Sequence, residues 1–318
     1  MKLHAIMVTR DDGDIIAQVL KHLLGQVDFL YVYDTGSLDD TWSQVLTLAK
    51  HESRLIPFKS EPAVFFDALK SYPFDHFRHR FRKGDWILKV DSDEFYLDNV
   101  RSFIQTKVKW YENVVFYTIR NYKFTSEDAK AWDEGRETLG DRIRPIQDRR
   151  KYWQTYPYGE ARIYRYRPTM RWVPWCNEPY FRGVIAKNKI PIAHFNDRDP
   201  LQIYRRWTIR RFAAARKGVG IGRRAEWSST SDWRERIADV KKFNLFQDEK
   251  HIEFSSSSYD SSYGLQSWYV RLFQTIISKI FGRLLDATRP TFPIDFQPEL
   301  YSDREVAELR RQLECKTL

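Results

Sequence analysis

The stretch Lys83-Gly84-Asp85-Trp86-Ile87-Leu88-Lys89-Val90-Asp91-Ser92-Asp93-Glu94-Phe95 decides how this chain is read. An apolar run, Trp86 to Val90, stops abruptly at three carboxylates. Such a run reads as a buried strand of a mainly parallel sheet. Acids directly after it sit where α/β folds bind ligands, outside the carboxyl ends of the strands. Asp91 and Asp93 are two apart, so on an extended strand end they point to the same side. Two carboxylates facing one way repel unless a cation lies between them. A hard divalent metal with an open shell, carrying the phosphates of a nucleotide, suits that place. The plain alternative is a solvated acidic turn.

Outward from this stretch, strands and helices alternate. Leu3 to Val8 reads as a strand. Asp11 or Asp12 can cap a helix with Ile15, Ile16, Val19, Leu20, Leu23 and Leu24 on one face. Phe29 to Tyr33 is a strand ending at Asp34-Thr35-Gly36-Ser37, and Asp39-Asp40-Thr41 opens a second helix. Arg54 to Phe58 is a third strand, Phe65 to Phe81 a helical region, and Val114 to Ile119 a later strand. This order argues for a parallel α/β sandwich. Ser126 to Tyr158 reads as polar and irregular. Ala161 to Tyr166 is a strand, and Trp172 to Phe181 a Pro- and aromatic-rich loop. Ile190 to Ala193 is a short strand ending at His194. A basic helix spans Pro200 to Lys217, and Gly218, Gly220 and Gly222 mark a loop. Ser255 to Ser258, with Ser261 and Ser262, reads as a linker. Trp268 to Leu285 has the apolar pairs and the Arg271, Lys279 and Arg283 of a basic amphipathic helix. Ser302-Asp303-Arg304-Glu305 is a capping box.

The 318 residues, 42% hydrophobic and 16% aromatic, suffice for a sizeable core. The net charge of +10 calls for an anionic partner. Cys176 and Cys315 are the only cysteines, which excludes a disulfide scaffold and a Cys-based zinc site and fits a reducing compartment. The first residues run straight into a strand, so no signal peptide is expected. No segment reaches the roughly 20 apolar residues of a membrane span. The expected location is cytoplasmic, peripheral at the inner face of the cell membrane.

Taken in order, Val8-Thr9-Arg10-Asp11-Asp12, Val27-Asp28, Tyr33-Asp34-Thr35-Gly36-Ser37-Leu38-Asp39-Asp40-Thr41 and Asp91-Ser92-Asp93-Glu94-Phe95 resemble family 2 of the glycosyltransferases. The resemblance covers about residues 1–215. It implies a GT-A type, Rossmann-like sheet flanked by helices over residues 1–225. Residues 226–318 lie outside the resemblance; their own helical patterns read as a C-terminal extension, meeting a membrane surface or another copy of the chain. It also implies inverting transfer of a sugar from a nucleotide-sugar donor to a hydroxyl acceptor, a saccharide or a lipid-linked one. Surface polysaccharide or lipopolysaccharide assembly in a bacterium is the implied setting.

The resemblance also assigns residues. Thr9, Asp12, Asp34, Arg78 and Asp91 are expected to bind the nucleotide sugar, although Asp12 stands where many relatives carry Glu. Asp34 would accept the imide N–H of uracil, which favours a UDP-sugar. Arg80 and Arg82 compete with Arg78 for the diphosphate. Asp93 and His194 are expected to hold the metal, and an imidazole suits Mn²⁺ better than Mg²⁺. Glu178 is the expected base, with Glu160 and Asp148 as alternatives; an apolar rim of Trp175, Pro179 and Tyr180 would raise its pKa. Here Asn177 replaces the His that precedes this Glu in a related subgroup.

Nine basic residues from Arg198 to Arg224 could hold the leaving diphosphate or, with Trp268 to Leu285, an anionic lipid surface. No RNA or DNA module is legible, so no nucleic-acid partner is expected. A nucleotidyltransferase is the rival enzyme, but the Gly-rich, Lys-containing phosphate loop such enzymes carry after the first strand is missing from Val8-Thr9-Arg10-Asp11-Asp12. A non-catalytic binding protein at a membrane surface is the rival outside enzymes.

Overall fold

The computed structural model describes residues 1–155, 159–172, 177–179, 184–215, 232–240, 246–247, 273, 276–277 and 297–314. Trp175, Cys176, Tyr180, Phe181, Arg216, Lys217, the 218–224 loop, the serine-rich 255–262 stretch and Cys315 lie outside them. Of the expected helix Trp268 to Leu285, only Phe273, Ile276 and Ile277 are described. They are helical, and Phe273 and Ile276 are exposed.

Strand β1 (Leu3–Thr9) is apolar and buried along its whole length. It lies parallel between β2 (Phe29–Asp34) and β4 (Trp86–Asp91), and β3 (Leu55–Ser60) continues the sheet beyond β2. Side chains alternate across the sheet. Leu3, Ala5 and Met7 face the apolar stripe of helix α1 (Ile16–Leu24), while Ile6 and Tyr31 face Phe74 and Phe77 of α3 (Ser71–Phe77). Helix α2 (Thr41–Ala49) packs beside α1.

The other half of the sheet mixes directions. After β5 (Glu94–Tyr96), helix α4 (Val100–Lys107) leads into the long strand β6 (Glu112–Tyr122). Strand β8 (Ala161–Arg165) inserts between β4 and β6, antiparallel to both. Strand β6 shifts register between Val115 and Phe116. Its first part meets β8 and β9 (Val184–Ile185). Its second part meets β7 (Tyr152–Thr155) and β10 (Ile190–His194). The chain passes this bend at Gly159, where a Cβ would stand 2.5 Å from the Tyr117 carbonyl oxygen. β10 also pairs antiparallel with β5, and β11 (Phe246–Gln247) with β7.

Three local readings need correction. Neither Asp11 nor Asp12 caps α1 with its side chain. The Asp12 backbone carbonyl accepts from Ile15 and Ile16, and its carboxylate turns to the buried Arg198. Asp91 and Asp93 do not share one extended strand, because β4 ends at Asp91 and Ser92–Asp93 is a turn into β5. The Ser126 to Tyr158 segment is not irregular in its described part. It holds α5 (Ser126–Asp133), a 3₁₀ turn (Leu139–Ile143), α6 (Ile146–Arg149) and β7. Its charges fold inward: Arg150 is fully buried, bonded to Glu137 and Asp128.

Helix α7 (Pro200–Ala214) starts at Asp199, whose carboxylate accepts from the Gln202 N–H at 3.0 Å. The chain's last described segment returns to this body. Tyr301 N–H donates to Pro62 O at 2.8 Å and Val64 N–H to Glu299 O at 2.8 Å. Helix α8 (Asp303–Glu314), opened by the Ser302/Glu305 capping box, packs Leu309 and Leu313 on Ile209 of α7.

Candidate functional site

Parallel strands β1, β2 and β4 all deliver their carboxyl ends to one side of the sheet, where α/β folds place ligands. A cavity of about 550 Å³ opens there. Its walls come from the loop after β1 (Arg10, Asp11, Asp12), the entry to α3 (Phe65, Phe66, Leu69, Lys70), the Asp91–Glu94 turn, strands β6 and β8 (Tyr117, Arg162), the end of β10 (His194) and α7 (Arg206, Arg210).

Asp91 is held between two cations. Its Oδ1 accepts from Lys70 Nζ and its Oδ2 from Arg162 Nη2 at 2.9 Å. Burial opposes ionisation, yet Lys70 and Arg162 hold this carboxyl well below the usual carboxylate range. Arg162 also donates to Glu94 at 2.5 Å. Burial dominates at Glu94 and pushes it up to about 7.

Asp93 lies across the turn with different partners. Its Oδ1 is 3.3 Å from His194 Nε2, and its Oδ2 is 3.5 Å from Arg206 and 3.8 Å from Arg198. Burial again opposes ionisation, and His194, Arg206 and Arg198 again outweigh it. Arg198 is the hub beneath the site. Fully buried, it bonds Asp14 at 2.6 and 2.9 Å, Asp12 at 2.8 Å and the Phe195 carbonyl at 3.0 Å. Asp12 also accepts from Ser92 Oγ and from Thr9 Oγ1 at 3.2 Å, so the β1 loop and the acidic turn are one network.

Among the described residues, no three His, Cys, Asp or Glu side chains gather around one point. Asp93 Oδ1 and His194 Nε2, at 3.3 Å, can still serve as two ligands of one cation, whose bonds of about 2.1 Å place neighbouring ligands roughly 3 Å apart. His194 Nδ1 is buried without a hydrogen-bond partner.

At the far wall, Lys89 is fully buried at the centre of β4. Its Nζ donates to Glu160 at 3.2 Å and lies 3.4 Å from Asn177 Oδ1. Glu160, beside Lys89 and Arg162, titrates below its usual range despite burial. Glu178 accepts the Ala161 N–H at 3.2 Å and titrates above it, because burial outweighs Lys89.

The residues singled out in the sequence thus separate. Asp12, Asp91, Asp93 and His194 share the cavity, with Glu160 as the alternative base. Glu178 stands next to it, while Asp148 is exposed on α6. Thr9 is buried behind Asp12. Asp34 is sealed, its oxygens taken by Gly36 N, Ser37 N, Ser37 Oγ and Ser60 Oγ. Arg78 sits at the opposite end of the sheet, donating to the Pro168 and Met170 carbonyls beyond β8. Lys70 and Arg162 were given no role in the site from the sequence, although Lys70 had a local sign, a lone cation opening the apolar helix before the acidic strand. Arg198 was counted among the basic residues expected to hold the diphosphate or a lipid surface, but it is buried beneath the acids and bonded to Asp14 and Asp12.

No protein-family model matches the sequence, and no curated protein does. Among solved structures, the chain is similar to a mannosyltransferase from Pyrobaculum calidifontis in complex with GDP-Man and Mn²⁺. The identity is 14%, over 52% of this chain and 44% of that one, with a TM-score of 0.31. The chain therefore spans less than half the length of that protein. It is also similar to residues 1–349 of S. aureus TarS, at 14% identity over 68% of this chain and 65% of that one, TM-score 0.29. A third is a CTP:phosphocholine cytidylyltransferase from Streptococcus pneumoniae, at 8% identity over 52% and 68%, TM-score 0.26.

Proposed function

We propose that the chain is a metal-dependent, inverting glycosyltransferase of the GT-A type. It would move a sugar from a nucleotide-sugar donor to a hydroxyl of a saccharide or lipid-linked acceptor. One observation carries this reading: the Asp91–Glu94 turn shares its cavity with Lys70, Arg162, Arg206 and Arg210. Carboxylates alone would fit a bare cation, and guanidiniums alone a bare anion. Interleaved, they fit a divalent cation joined to a diphosphate.

Asp93 and His194 would hold the Mn²⁺ or Mg²⁺. Bound there, the metal would offset negative charge on the departing diphosphate. Arg206 and Arg210 bind phosphate oxygens from the α7 side. Lys70 and Arg162 keep Asp91 ionised and fixed, ready to accept from a ribose hydroxyl or a metal-bound water. A carboxylate on the acceptor side takes the hydroxyl proton as that oxygen displaces the diphosphate. Glu178 fills this role because burial raises its proton affinity. Glu160 is the second candidate because it lines the cavity. An anionic membrane surface bearing the acceptor is part of the reading. No described helix is long and apolar enough to cross a membrane.

The test compares Glu178→Gln and Glu160→Gln at saturating acceptor. Loss of the base lowers kcat by about 10²- to 10⁴-fold while donor affinity holds. If neither substitution lowers kcat, the base is elsewhere. If the wild type binds no nucleotide sugar with Mn²⁺ present, the reading fails as a whole.

A further inference from the structure

We infer that Asp11 and Arg10 read the base of the nucleotide donor, through an edge that presents N–H beside C=O, as uracil and guanine do. This rests on the donor reading above. Asp11 is the one non-glycine with positive φ among the described residues, at 51°. Such backbone is strained and gathers at functional sites. Its Oδ1 is committed, accepting from Leu38 N at 2.6 Å and Asp39 N at 3.2 Å. Its own N–H donates to Ser37 Oγ at 2.8 Å.

Asp11 Oδ2, by contrast, is buried with no hydrogen bond, and so is Arg10 Nε. The two lie 3.8 Å apart, too far to satisfy each other. Both residues line the cavity. An unmet acceptor beside an unmet donor is costly inside a protein and complements a base edge carrying N–H beside C=O. Asp34, the carboxylate expected in this role, has both oxygens occupied and does not line the cavity.

Asp11→Asn tests this with little change of shape. Asn tolerates positive φ, and its amide oxygen can keep the Leu38 and Asp39 bonds while its NH₂ replaces Oδ2. The acceptor becomes a donor. Calorimetric titrations with UDP, GDP, CDP and inorganic pyrophosphate, each with Mn²⁺, give the answer. Wild type should bind UDP or GDP best. Asp11→Asn should weaken that nucleotide about tenfold or more, and leave pyrophosphate, which carries no base, within about threefold. Arg10→Lys, which keeps the charge but lacks Nε, should show the same loss for the preferred nucleotide. Unchanged UDP and GDP affinity overturns the inference, as does an equal loss for all four probes. No binding of any probe to the wild type overturns the donor reading, and this inference with it.

Discussion

Asp11 carries a cost that its neighbours do not relieve. Burial, and then the nearby Asp39, push its carboxyl from 3.8 up to about 6. A folded-state pKa above the unfolded value means that protonation favours the folded state. The penalty is absent below about pH 4, grows between 4 and 6, and is complete above 6. Asp11→Asn removes it, so the variant should be more stable than wild type at pH 8, on the order of 1–3 kcal/mol. The gain should vanish as pH falls to 4. Thermal midpoints across that range check this, and a variant less stable at pH 8 would contradict it. Single residues were legible in the sequence where the local pattern fixes their place. The acidic turn after an apolar strand and the His closing a short strand both reach the cavity. The partners of those acids were not legible. Lys70 and Arg162 lie 21 and 71 positions from Asp91, and local periodicity says nothing of such pairings. Arg78 shows the converse. A cation on a suitable helix was read as a ligand, but the helix carries it toward the amino ends of the strands.

At the scale of elements, the parallel core β3-β2-β1-β4 and its helices follow from alternation and apolar stripes in the sequence. The antiparallel insertion of β8 does not. A buried strand has the same pattern in either direction, and Gly159, whose lack of a side chain permits the close approach to the Tyr117 carbonyl, stands in an otherwise unremarked run. The Ser126 to Tyr158 segment was misread because its arginines and acids satisfy one another inside the fold. The C-terminal segment is tied to the site's wall. Leu300 bridges Ala63, and the Tyr301 ring stacks 5.6 Å from the guanidinium of Arg10. Helix α8 holds this segment through Leu309, which is 1% exposed. Leu309→Ala should therefore cost about 2–4 kcal/mol in denaturant unfolding. An unchanged midpoint would mean that α8 does not belong to the cooperative unit.

For the molecule as a whole, the formal charge of +10 overstates what the surface presents as free cation. Lys89, Arg150 and Arg198 are fully buried and paired with carboxylates. Such pairs are poor evidence for stability, but removing one partner leaves an uncompensated charge. In the cavity, Lys70 and Arg162 keep Asp91 ionised, and His194, Arg206 and Arg198 do the same for Asp93. On this reading the acidic turn serves a metal-bound nucleotide sugar. Chromatography of the nucleoside diphosphate released from a panel of nucleotide sugars is the test. The purified protein is incubated with and without Mn²⁺, beside its Asp93→Ala variant. Release is expected from at least one nucleotide sugar; it requires the metal and is lost in the variant. Release that persists in Asp93→Ala, or none from any nucleotide sugar with Mn²⁺ present, would contradict it.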